Sequence, residues 1–119
     1  KNLFFKSGND KILRKLYQHA SLFITTSKNE GFGLTPLEAM SCGCPTICSN
    51  IPVFKEILGN SCSYINPNDI TDIKKKMENL IKSKNKQKIL IKRGFLKAKE
   101  YSWDKCSLET IKIYKKVLN

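Results

Sequence analysis

The stretch Glu30-Gly31-Phe32-Gly33-Leu34-Thr35-Pro36-Leu37-Glu38 gathers the residue types that can do chemistry. Gly31 and Gly33 let backbone N–H groups come close to a ligand, and a helix beginning near Thr35 would aim the positive end of its dipole at the same place. That is a diphosphate site in outline. The carboxylates of Glu30 and Glu38 stand on either side of the anion cradle, where each can accept hydrogen bonds from sugar hydroxyls. Plainer readings compete. Glu38 falls three residues after Thr35, the spacing of a capping box, which by itself accounts for a Glu there. Glu30, an acid beside two glycines, has no helix to cap. Phe32 also reads as an anchor tying the loop to the core.

Other reactive side chains carry less. His19 is the one histidine and reads as a surface or packing residue. Cys42 and Cys44 flank a helix stop with no His or Asp beside them, so they read as packed thiols rather than nucleophiles. The five cysteines are odd in number and include no CxxC pair, which disfavours a disulfide framework and zinc. Free thiols in such number fit a reducing cytosol.

These residues need a scaffold, and the pattern supplies one. Leu3 to Phe5 reads as a short strand ending at Ser7-Gly8. From Asp10 the residues Ile12, Leu13, Leu16, Tyr17 and Ala20 make the stripe of an amphipathic helix. Ser21 to Thr25 reads as a buried strand, and TSKNEGFG as a loop. Thr35 as N-cap with Pro36 in the first turn starts a short helix, which Gly43 and Pro45 stop. Thr46 to Ser49 is strand-like. Asn50 caps a further helix that runs to Leu58 and stops at Gly59, and Ser61 to Ile65 is another strand, closed by the turn at 66–69. Beyond it the pattern is helical: a stripe from Ile70 to Ile81, a less regular one from Ile89 to Ala98, and a last helix from Trp103 capped by Ser102. Trp103 reads as a core anchor, and the Lys-rich 83–88 as a solvated helix junction. Strands alternating with helices imply an α/β fold, a parallel sheet covered on both faces with a helical C-terminal tail.

Length and charge bound the answer further. The chain has 119 residues and 40% apolar content, the size of one domain with one modest core. It starts without Met, reads as a cut from a longer chain, and has no apolar run near the roughly 20 residues of a spanning helix. The net charge is +12, with 15 of the 22 basic residues in the last 51 positions. A basic surface attracts nucleic acid, anionic lipid or phosphorylated substrates alike.

Glu30 to Glu38 resembles the E-x7-E signature of retaining glycosyltransferases of the GT-B fold, in the large family often numbered four. The same order of landmarks runs along nearly the whole chain: Phe5-Lys6-Ser7-Gly8, then Leu16-Tyr17, Leu37-Glu38-Ala39-Met40-Ser41-Cys42-Gly43-Cys44-Pro45, Val53-Phe54-Lys55-Glu56, and Tyr101-Ser102-Trp103. The resemblance implies a Rossmann-like sheet, one unit spanning 1–119, forming the latter part of the nucleotide-sugar-binding C-terminal domain. It implies that Glu30 hydrogen-bonds the transferred sugar and that the backbone of Gly31, Phe32, Gly33, Leu34 and Thr35 lines sugar and diphosphate. Glu38 would grip the ribose, and Ser7 would sit near the base. The donor would be UDP- or GDP-linked, with no metal and no other cofactor. The family's diphosphate-binding Arg and Lys would lie upstream, and the N-terminal domain would bind the glycan or lipid-linked acceptor. Alone, this chain is expected to bind donor weakly and to catalyse nothing.

Two other readings are a basic nucleic-acid-binding module and an interaction domain that has lost its chemistry. Against the first, the lysines scatter around helices with no aromatic platform among them, so nucleic acid is not the expected partner. Against the second stand Glu30 and Glu38. The whole enzyme is expected in the cytoplasm, peripherally against anionic lipid if the basic tail holds it there.

Overall fold

A computed structural model describes residues 3–118. In chain order the elements are α1 (Asp10–His19), β1 (Phe23–Thr25), α2 (Leu34–Ser41), β2 (Thr46–Ser49), α3 (Pro52–Leu58), β3 (Ser63–Ile65), α4 (Ile70–Lys82), α5 (Lys84–Lys99) and α6 (Trp103–Leu118). The three strands form one parallel sheet in the order β1-β2-β3. Ile24 is registered against Ile47, and Cys48 against Tyr64.

Successive strand residues point to opposite faces, so each strand residue chooses a layer. Ile47 and Ile65 pack with Leu80 of α4, joined by Ile24, Ile73, Met77 and Leu90. Cys48 packs on the other face with Leu37 and Met40 of α2, Phe54 and Leu58 of α3, and Cys62. Both faces are covered, as the alternation of strands and helices requires. The central strand β2 is buried along its whole length, whereas β1, paired with β2 alone, is only half-buried.

Local chemistry sets the boundaries. Asn9 caps α1, its side chain accepting from the Ile12 N–H at 3.2 Å. At the end of α2, Gly43 (φ 78°) and Cys44 close a Schellman stop: Cys44 N–H donates to Ala39 O and Gly43 N–H to Met40 O, both at 3.0 Å. Ser83 ends α4, its N–H donating to Leu80 O, and its hydroxyl caps α5 by accepting from Lys86 N–H. Gly94 is buried in the middle of α5 because a Cβ there would meet the Met40 side chain at 3.0 Å. An interior glycine costs a helix about 1 kcal/mol. Here it is what lets α5 lie against α2.

Several expectations are corrected. Leu3, Phe4 and Phe5 form no strand and are exposed; a three-residue run with no partner to pair with gains nothing to offset the entropy of ordering it. Thr35 is not the cap of α2. Gly33 is, in a left-handed conformation, with no side-chain cap. That places Thr35 inside the first turn and Glu38 beyond it, so there is no capping box. Ile51 rather than Asn50 precedes α3, also without a side-chain cap. The joint between α4 and α5 is Ser83 alone, and residues 84–88 are already helical. Trp103 is 77% exposed and anchors nothing, since α6 buries none of its residues.

Candidate functional site

Residues 26–33 connect the carboxyl end of β1 to α2, the edge at which open parallel sheets hold ligands. Gly33 turns the chain there with φ 109°, and its Cα lies so close to the buried Phe54 ring that a Cβ would stand 2.9 Å from Cε1. The loop therefore rests on α3. Phe32 leans outward and meets Tyr101 edge to face, with centroids 5.4 Å apart at 88°. Tyr101 is itself fixed by its hydroxyl, which donates to Ile57 O at 3.2 Å. Phe32 thus ties the loop toward the core, as expected, through Tyr101 at the junction of α5 and α6, which packs on the core cluster.

The first N–H groups of a helix have no partner within it. With Gly33 as N-cap, no side chain satisfies them in α2, and Pro36 carries no N–H at all. The N–H groups of Leu34 and Thr35 are left facing outward at the positive end of the dipole, the geometry that binds anions. Leu34, Thr35 and Glu38 share the exposed face of α2, while Pro36, Leu37, Ala39 and Met40 are buried. Glu38 sits just over one turn, about 6 Å, along the axis from Leu34. Glu30 is exposed on the loop before the helix. The two ion pairs among the described residues, Lys74–Glu78 and Lys97–Glu100, involve neither carboxylate.

The structure thus leaves Glu30, Gly31, Phe32, Leu34, Thr35 and Glu38 exposed along the loop and the start of α2, with Gly33 buried between them. Ser7 is exposed on the irregular stretch ahead of α1. A Cβ on Gly31 would meet nothing within 4 Å. Space, not the packing of this chain, surrounds it.

Two residues that pattern reading left out of the site support it. Tyr17 is buried in α1 against Ala39 and Cys44 and meets Phe23 edge to face. Burial first, and then the neighbouring Glu38 carboxylate, raise the pKa of its hydroxyl, so it stays protonated beside Glu38. The helical stripe turned Tyr17 inward, but nothing in it named α2 as the surface it would meet. Tyr101, far along the chain from Phe32, gave no local signal of that contact. Cys44 behaves as a packed thiol: burial pushes it up to about 11, far from a nucleophile's range, whereas Cys42 is half-buried. His19 is exposed, its Nδ1 within 2.8 Å of Lys15 O. Among the described residues no three His, Cys, Asp or Glu side chains come together as a metal site, and no helix is long and apolar enough to cross a membrane.

Comparison with known proteins places the chain in a family. The chain is 39% identical over 106 residues to O-antigen chain mannosyltransferase B of Escherichia coli, which covers 89% of this chain and 28% of that protein. It is 37% identical over 94 residues to the serotype-specific mannosyltransferase WbdA of Escherichia coli, covering 79% of this chain and 12% of that one. It therefore spans less than a third of the length of these relatives. Among solved structures, sucrose-phosphate synthase from Thermosynechococcus elongatus superposes with a TM-score of 0.87 over 98% of this chain and 30% of its own, at 21% identity. That likeness shows a shared GT-B fold. Residues 1–97 match the family model described as glycosyl transferases group 1, and the chain belongs to that family.

Proposed function

We propose that this chain is the nucleotide-sugar-binding part of a retaining glycosyltransferase of the E-x7-E type, which transfers a hexose to a growing surface polysaccharide or its lipid-linked precursor. The observation that carries the reading is the uncapped start of α2, with two exposed carboxylates beside it that enter no ion pair among the described residues. Its relatives' names as O-antigen mannosyltransferases favour mannose as the sugar. The donor is then a UDP- or GDP-linked sugar, and the acceptor binds to the part of the enzyme outside this chain, the N-terminal domain of the GT-B pair.

Each residue has a task in this reading. The N–H groups of Leu34 and Thr35 donate to the diphosphate and stabilise the negative charge that develops on it as the glycosidic bond breaks. No metal is needed where helix N–H groups and basic side chains share that charge. Glu38, further down the same face, accepts from ribose hydroxyls. Glu30 accepts from a hydroxyl of the transferred sugar and so fixes the anomeric carbon relative to the acceptor. Phe54 and Phe32 hold the loop that carries them. The basic surface of α4 to α6 keeps the enzyme near anionic lipid, on the cytoplasmic side where donors are made.

Glu30→Ala in the complete enzyme tests this. Misplacing a reacting group by about 1 Å can cost on the order of 100-fold in rate. Turnover should fall by at least about that factor while affinity for the bare nucleoside diphosphate, which lacks the sugar, stays unchanged. A variant that keeps its transfer rate, or that loses nucleotide affinity to the same extent, would overturn the assignment.

A further inference from the structure

The edge of the sheet opposite the donor loop holds a second concave surface. A groove of about 520 Å³ lies between the Gly59-Asn60 turn at the amino end of β3, the last turns of α4 and the stretch of α5 from Lys86 to Arg93. Lys76, Lys86 and Arg93 line it together with Asn60 and Asn79, and no Asp or Glu does. Lys86 and Arg93 are seven residues apart, two turns along one face of α5. Arg93 is held in place by its guanidinium, which donates to Asn60 O at 3.4 Å. Neither of the ion pairs among the described residues uses any of these three cations.

Three positive groups converging on one groove without a counter-charge repel one another, and a compact dianion removes that repulsion while the Asn60 and Asn79 side chains supply further donors. We propose that this groove binds a phosphate group. Leu80, Ile89 and Leu90 give it an apolar lining as well, so both a free polyphosphate and the headgroup of an anionic lipid carry the required chemistry. The groove opens at the amino end of β3, whereas the donor loop leaves the carboxyl end of β1. The two sites lie on opposite edges of a parallel sheet, and both can be filled at once. The inference stands independently of the donor-site reading.

The test is site-resolved acetylation of lysines in the complete protein, read by mass spectrometry with N-hydroxysuccinimidyl acetate as reagent. One arm adds inorganic pyrophosphate at matched ionic strength; the other adds phosphatidylglycerol vesicles, with phosphatidylcholine vesicles as control. Acetylation of a protected lysine slows by 1 + [L]/Kd, about fivefold at a ligand concentration four times Kd. Lys76 and Lys86 should slow by that factor while Lys74 and Lys112, exposed on α4 and α6, do not. Protection by pyrophosphate identifies a free-phosphate site, and protection by phosphatidylglycerol alone a headgroup site. Arg93→Gln should abolish the protection of both lysines. If that variant melts early through loss of the Asn60 contact, the exposed Lys86→Gln should still remove the protection of Lys76 with melting unchanged. Uniform slowing of all four lysines, or no slowing by either probe, would overturn the proposal.

Discussion

Helices α2 and α6 both carry apolar side chains, yet they stand in opposite situations. The eight residues of α2 bury four, wedged between the sheet and α5. The sixteen of α6 bury none, although Leu108, Ile111, Tyr114 and Leu118 fall on one stripe. An apolar stripe records that a helix seeks cover; it does not record whether the cover belongs to the same chain. Helices draw most of their stability from such packing. The loop 26–33 is accordingly held at its α2 end, whereas α6 buries no apolar side chain against the rest of the described residues.

The sharpest way to break that contrast is Gly33→Ala. A residue with a Cβ at φ 109° is strained, and here its Cβ would meet the Phe54 ring. The expected loss in the 119-residue chain is about 1–3 kcal/mol by urea unfolding. No loss would mean that the loop is not held against α3. A smaller effect is expected from Glu38→Gln, because the side chain is exposed and caps nothing. Melting should move by no more than about 0.5 kcal/mol equivalent. In the complete enzyme, calorimetry should instead show affinity for the nucleoside diphosphate falling about tenfold, or about 1.4 kcal/mol. Stability lost without affinity would return Glu38 to a structural role. The smallest effect belongs to Tyr114→Ala on α6, which should change the stability of this chain by less than about 0.5 kcal/mol. Repeating it in the longer protein sharpens the comparison, since a loss well above that value there would show that α6 finds its cover outside this chain.

How much of this was legible in the residues follows from the same contrast. Gly43 followed by Pro45 announced the stop of α2, and Thr46 to Ser49 appeared as a strand, because both signals are local. The start of α2 misled. Thr35-Pro36-Leu37-Glu38 satisfies the capping pattern, but the chain must come back over Phe54 to enter the helix, and only Gly33 can make that left-handed turn. Tertiary packing moved the cap by two residues and freed Glu38 from the role its spacing suggested. Trp103 failed for the opposite reason: its size predicts burial, and its helix has nothing to bury it against. Apart from Ser7, the candidate site residues could be picked out as a group because they fall within nine consecutive positions, 30–38. Their supports, Tyr17, Phe54 and Tyr101, come from three separate elements and became visible only in the fold.

The single-residue joint at Ser83 has a consequence for how this chain can change over generations. Because one residue closes α4 and opens α5, the rotational phase of α5 is counted directly from it. One insertion or deletion would turn the following helix by about 100° about its axis. Gly94 would swing away from Met40, and a bulkier neighbour would arrive in the gap that only a glycine fits. Substitutions at 83 that keep a capping hydroxyl or amide leave that contact intact. Lineages that retain this packing should therefore differ at the joint in residue type and never in residue count, while 26–29, which lies outside any helix or strand between β1 and Glu30, has no such clockwork to disturb.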